Sequence, residues 1–236
     1  MKMKYLREII REQLLITEGA RLTKYDKKAL SYISKLPRGV KIKCPDIRNI
    51  QSAEDLLDPW DIFSFVNSKG KSYDPFDSRM RSSKQKKLKL TEKEIENDKD
   101  FVFTLETVDL PDGSTPIQVT EIYMPYLAQK AGCAILMYEL ICELSPDGLV
   151  SSRNSVSEYA FNIYKIYKNE RKATIQAIPT GTDFAVWSKG AQRKKHDIHW
   201  KKKKYTKRTH PLMYRYKAKG TPVYDALLAA GRLHLV

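Results

Sequence analysis

The stretch that most restricts this chain is "TPIQVTEIYMPYLAQKAGCAILMYELICEL", residues 115–144. It begins β-rich and ends in an apolar run of about three helical turns, so the backbone changes period across Gln129, Lys130, Ala131, Gly132, Cys133 and Ala134. The first amides of a helix lack intrahelical acceptors and carry the positive end of its dipole. A strand that feeds such a helix therefore makes an anion site. Short side chains from Ala131 to Ala134 admit phosphate oxygens, Gly132 tolerates backbone angles closed to other residues, and Gln129 or Lys130 adds a donor.

The flanking segments predict what packs around this junction. "FVFTLETVDL" and "TPIQVTEIYM", joined by "PDGS", read as an antiparallel hairpin. "SPDG" stops the apolar helix and "GLVSS" follows as a short buried strand. Ser155 and Glu158, at capping-box spacing, open another helix whose apolar stripe is Ala160, Ile163, Tyr164 and Tyr167. "ATIQAIP" and "DFAVWS" are further strand candidates. A last helix runs from Thr221 as cap, through Pro222 in its first turn, to Gly231 just beyond its end. Helices and strands interleaved in this way predict an α/β (α+β) fold: a mixed, mostly antiparallel central sheet flanked by helices.

At this point the residues resemble a known family. "QKAGCA" is similar to the Q/R-x-x-G-x-G/A loop of the GCN5-related N-acetyltransferases (GNAT), with Ala134 where glycine is commoner. In that family a hairpin precedes the loop, and a helix, a strand and a second helix follow it. The second helix carries a tyrosine four residues after an alanine, as Tyr164 follows Ala160. The resemblance implies a GNAT-like core over residues 100–188 and acetyl-CoA or another acyl-CoA as donor substrate. Residues 129–134 would bind its pyrophosphate, Tyr164 would protonate the leaving thiolate, and an amine would be the acceptor. "GLVSSRNSVS" resembles segments of tailed-phage proteins, and this resemblance implies a divergent phage branch of that family.

Acyl transfer to an amine needs a base for the ammonium proton. Glu121 lies mid-strand in "IQVTEIYM", in alternation with Ile117, Val119 and Tyr123. On that apolar face it would be desolvated, which pushes a carboxyl toward the range of a useful base. Two plainer readings stand beside these: Glu121 as a strand carboxylate facing solvent, and Tyr164 as a core tyrosine on an apolar stripe. Cys133 at a helix start has no histidine partner at any suggestive position. His196 and His199, three apart among lysines, make no metal site, so no metal is expected.

The ends of the chain carry a different signal. "MKYLREIIREQLLI" is an amphipathic helix pattern, and the "LLITEGA" that completes it resembles the capsid-targeting segments of internal head proteins in T-even-like phages. Those segments are removed by the prohead protease after Leu or Ile, any residue, then Glu. Ile16, Thr17 and Glu18 fit, with cleavage between Glu18 and Gly19. An ordinary docking helix is the alternative. Forty-three Lys and Arg against 28 Asp and Glu leave +15, which favours polyanionic partners. The excess gathers in "RMRSSKQKKLK" and in "RKKHDIHWKKKKYTKR", where Lys201, Lys202, Lys203 and Lys204 stand beside Trp200 and Tyr205 as a candidate DNA grip; a solvated basic face is the alternative.

No apolar run is long enough to span a bilayer, so no membrane partner is expected. Cys44, Cys133 and Cys142 form no CxxC pair, which suits a reducing compartment. The resemblance to internal head proteins implies the virion interior and, after delivery, the host cytoplasm. The expected parts are an N-terminal segment (1–18), a helical and irregular part (19–99), the core (100–188) and a basic C-terminal extension ending in a helix (189–236). The reading is thus of an acyltransferase-like protein, with a non-enzymatic DNA-binding head protein on the same scaffold as the alternative.

Overall fold

The computed structural model describes residues 24–36, 39–57, 64–66, 102–123, 132–152, 156–181 and 209–236. The hairpin forms where turn chemistry requires it. β3 (Val102–Thr107) and β4 (Ile117–Tyr123) pair antiparallel. Between them the Asp112 carboxylate accepts from the amide and hydroxyl of Ser114, and Gly113 at φ 80° closes the turn. α2 (Cys133–Leu144) is buried on nearly every side, as an apolar run without a polar face demands. α1 (Lys24–Ser31) packs against it.

Gly148 turns the chain from α2 into β5 (Leu149–Val150) at φ 83°, where a Cβ would overlap the carbonyl oxygen of Tyr216. α3 (Glu158–Glu170) buries Ala160, Ile163, Tyr164 and Tyr167, the expected stripe. Its cap is Ser157 rather than the expected Ser155: the Ser157 hydroxyl accepts from the amide of Ala160 at 3.2 Å.

β6 (Ile175–Pro179), β7 (Tyr214–Ala218), α4 (Pro222–Ala229) and β8 (Leu233–Leu235) complete the described elements after β1 (Lys41–Cys44) and β2 (Phe65–Val66). They build two sheets. The larger has the order β3-β4-β5-β7-β6 and the smaller β2-β1-β8. Among the described residues only the β4–β5 and β1–β8 pairs are parallel. The fold is therefore α+β with mixed sheets.

The C-terminal part, expected as an extension, is integral to both sheets. β7 lies between β5 and β6, and β8 pairs with β1, where Arg232 donates to the carbonyls of Val40 and Leu36. One hydrophobic core runs through α1 to α4 and both sheets. The expected strand "DFAVWS" and the helix expected at 3–16 lie outside the described residues.

Candidate functional site

The parallel pair β4–β5 holds for only two positions, Ile117 with Leu149 and Gln118 with Val150. Beyond it β5 ends while β4 runs on to Tyr123, so a gap opens between β4 and the start of α3. A cleft of about 240 Å³ fills that gap. Val119, Thr120, Glu121 and Ile122 line one wall. Ser152, Val156, Ser157, Ala160 and Tyr164 line the other, and Tyr138 closes it from α2. A volume of this size suits the reacting end of a substrate rather than a whole nucleotide, because pockets that engulf drug-sized ligands are roughly 300 Å³ and larger.

β4 reaches the cleft through a bulge. Glu121 pairs with Thr104 and Val119 with Leu105, leaving Thr120 as an extra residue. The extra residue reverses the alternation. Ile117 and Val119 are buried, Ile122 packs on the core, and Glu121 is exposed. Glu121 therefore does not share the apolar face of Ile117 and Val119 that strict alternation predicts for it; its side chain is exposed. Its carboxylate nevertheless borders the same cleft as Tyr164.

Tyr164 is 1 % exposed, its hydroxyl donating to the carbonyl of Val150 at 3.0 Å. Its ring stacks on Tyr216 at 5.8 Å between centroids and meets Tyr138 edge-on at 6.0 Å. Burial pushes the Tyr164 hydroxyl well above the ordinary tyrosine range. Tyr138 is likewise raised by burial, and a hydrogen bond to Tyr164 pulls it partly back.

At the start of α2, Gly132 adopts φ 77° and is buried, and a Cβ added there would fall inside the ring of Tyr32, which follows α1 in a short 3-10 turn. The Cα side of this glycine is thus occupied by the protein itself. Cys133 and Ala134 are also buried, and burial pushes the Cys133 thiol up to about 12, the reverse of what a helix start does to an exposed thiol. β4 and α2 are separated by residues 124–132 instead of running one into the other. Gln129, Lys130 and Ala131 lie outside the described residues, as do Glu18, Gly19, His196, His199 and Lys201 to Lys204.

No family model, curated protein or solved structure matches this chain.

The structure thus brings Glu121 and Tyr164 to one cleft, and it adds residues that the sequence reading left in the core or unmarked: Tyr138, Thr120, Ser152 and Ser157. Tyr138 had a legible signal, a hydroxyl-bearing ring inside an otherwise aliphatic run. Thr120 had none, because a bulge depends on the partner strand. Among the described residues no helix is long and apolar enough to cross a membrane.

Proposed function

We propose that the protein is an acyltransferase of the GNAT type, moving an acyl group from acyl-CoA to an amine. The observation that carries this reading is the cleft where β4 and β5 part, bordered by a carboxylate on one wall and a tyrosine hydroxyl on the other. The succession β3–β4 hairpin, α2, β5, α3 with Ala160 and Tyr164 also agrees with the order the resemblance requires. Glu121, open to solvent, takes the ammonium proton directly or through one water and passes it on. A tyrosine kept neutral by burial supplies a proton to the departing thiolate.

Titration calorimetry of the full chain with acetyl-CoA tests the reading: heat is expected, and none at millimolar ligand overturns it. Glu121→Gln then lowers acyl transfer by about 10²–10⁴-fold.

A second reading has the +15 charge in its favour. Here the same fold serves as a scaffold and Lys201 to Lys204 grip DNA phosphates, in a protein carried inside a virion after cleavage between Glu18 and Gly19. Changing the four lysines to glutamine then weakens DNA binding and flattens its salt dependence. Intact-mass measurement on virions would find a species beginning at Gly19.

A further inference from the structure

The cleft changes character along its depth. At its edge stand Glu121 on β4 and Ser157 just before α3, both exposed and on opposite walls. Farther in, the lining is buried and mostly apolar, with Val119, Ala160, Tyr138 and Tyr164 all under 10 % exposed. The inner end is an aromatic corner. The Tyr138 ring meets the Tyr164 ring edge-on at 6.0 Å between centroids, and Tyr164 stacks on Tyr216. A ring braced in this way inside a close-packed core is a fixed wall rather than a moving gate. Charge is as uneven as polarity. Among the described residues no Lys or Arg lines the cleft, and its one carboxylate is Glu121.

The two partners of an acyl transfer sort themselves by solvation across such a gradient. A cationic amine stays at the exposed edge, where Glu121 and water solvate it. The alkyl part of an acyl group gains by leaving water, so it takes the buried end. We infer that the inner end of the cleft is an acyl-group pocket for short, uncharged acyl chains, closed to dicarboxylic ones, and that the bulk of the Tyr138 ring sets the chain length. This rests on the acyl-transfer reading above and names the donor class within it. The role asks nothing of the Tyr138 hydroxyl.

The amine nitrogen bonds to the acyl carbon, and the C–S bond breaks with its electron pair going to sulfur. Of the two protons the ammonium gives up, one reaches water by way of Glu121 and one ends on sulfur, so that a thiol leaves. Size and charge then limit the donor separately. A cleft of about 240 Å³ holds the reacting carbonyl, the sulfur and the amine before any alkyl tail, which leaves room for few carbons. A second carboxylate, as in a succinyl group, finds no cation on the lining and shares the cleft with Glu121.

The full chain is given acetyl-, butyryl-, octanoyl- or succinyl-CoA, with hydroxylamine as the acceptor so that acceptor recognition drops out, and kcat/KM is compared above the uncatalysed background. Acetyl- and butyryl-CoA are expected to react, and octanoyl-CoA to be slower by about tenfold or more. Succinyl-CoA is expected to be slower by about 10²-fold or more. Tyr138→Leu trades the ring for a smaller apolar side chain and is expected to raise the octanoyl-to-acetyl ratio by about tenfold. Tyr138→Phe keeps the ring and should leave that ratio unchanged. Ala160→Val fills the same end from the opposite wall and should lower the butyryl-to-acetyl ratio.

Octanoyl or succinyl transfer as fast as acetyl transfer, or an octanoyl-to-acetyl ratio that Tyr138→Leu leaves unchanged, overturns the assignment while the wild type stays active. So does a Tyr138→Phe variant that shifts the ratio as far as Tyr138→Leu. If Tyr138→Leu fails to fold, the wild-type donor series and Ala160→Val carry the test, and a butyryl-to-acetyl ratio unmoved by Ala160→Val overturns the assignment. A wild type that transfers from none of the four donors overturns the acyl-transfer reading and this inference with it.

Discussion

Two glutamates stand at opposite extremes in this molecule. Glu139 on α2 is buried and paired with Arg171 at the end of α3, both side chains 3 % exposed. Glu121 on β4 is exposed, at the edge of a cleft it shares with two tyrosine hydroxyls. A buried charge survives only with a partner beside it, so Glu139 has its counter-ion built in and is committed to holding α2 against α3. A carboxylate at a cleft mouth contributes little to folding and can be engaged by whatever enters. α2 takes part in both regions: Tyr138 lines the cleft, while Glu139, Cys142 and Glu143 are committed to packing and capping. The Cys142 thiol donates to the carbonyl of Tyr216, and the Glu143 carboxylate accepts from the amides of Val223 and Tyr224, capping α4 from another helix.

The comparison is easiest to break at its buried end. Arg171→Ala leaves Glu139 charged and unpaired, and is expected to cost about 3–5 kcal/mol in denaturant unfolding. Replacing both partners by apolar residues of similar volume is expected to recover most of that loss; a small loss in the single variant would show the pair to be hydrated. Next in size is Gly132→Ala, which adds strain at positive φ to overlap with the Tyr32 ring, together about 2–4 kcal/mol. In a Tyr32→Ala background the overlap disappears and only about 1–2 kcal/mol should remain. Equal costs in the two backgrounds would mean that Tyr32 yields freely.

Glu143→Ala removes the acceptor for the first amides of α4 and is expected to cost about 1–2 kcal/mol, read by the same unfolding titration. Glu121→Gln, by contrast, should change stability by less than about 0.5 kcal/mol, since among the described residues no hydrogen bond or ion pair engages its carboxylate. A larger change would move Glu121 into the structural class with Glu139.

The smallest effect is a pH dependence near β1. Hydrogen bonds from the exposed Arg48 to Asp46 lower that carboxyl from its ordinary 3.8 to about 2. A carboxyl depressed by folding adds stability above its unfolded value, and that stability is lost as pH falls through the folded one. Melting curves between pH 4 and pH 2 should therefore fall slightly less steeply for Asp46→Asn than for the wild type.

Much of the fold was legible because it is local. The β3–β4 hairpin follows from two β-rich runs and an Asp-Gly turn, α2 from an unbroken apolar run, and the buried face of α3 from the spacing of Ala160, Ile163, Tyr164 and Tyr167. The cleft was half legible. Glu121 and Tyr164 were marked by residue type and by resemblance, yet the face that Glu121 occupies was misread, because alternation in one strand cannot register a bulge imposed by its neighbour.

By itself, the sequence determined the β3–β4 hairpin and its turn, α2, β5, α3, β6 and α4, and that the chain is strongly basic; it did not mark β1, β2, β7 or β8. The features it determined depend on side chains a few residues apart and on charges that can simply be counted. Only the tertiary structure decided that Thr120 bulges and turns Glu121 outward, that Tyr32 covers Gly132, and that Glu139 finds Arg171. It also decided that the last 28 residues, 209–236, complete both sheets. Each of these is a choice between partners far apart in the chain, settled by which packing buries the most apolar surface while leaving the fewest polar groups unpaired.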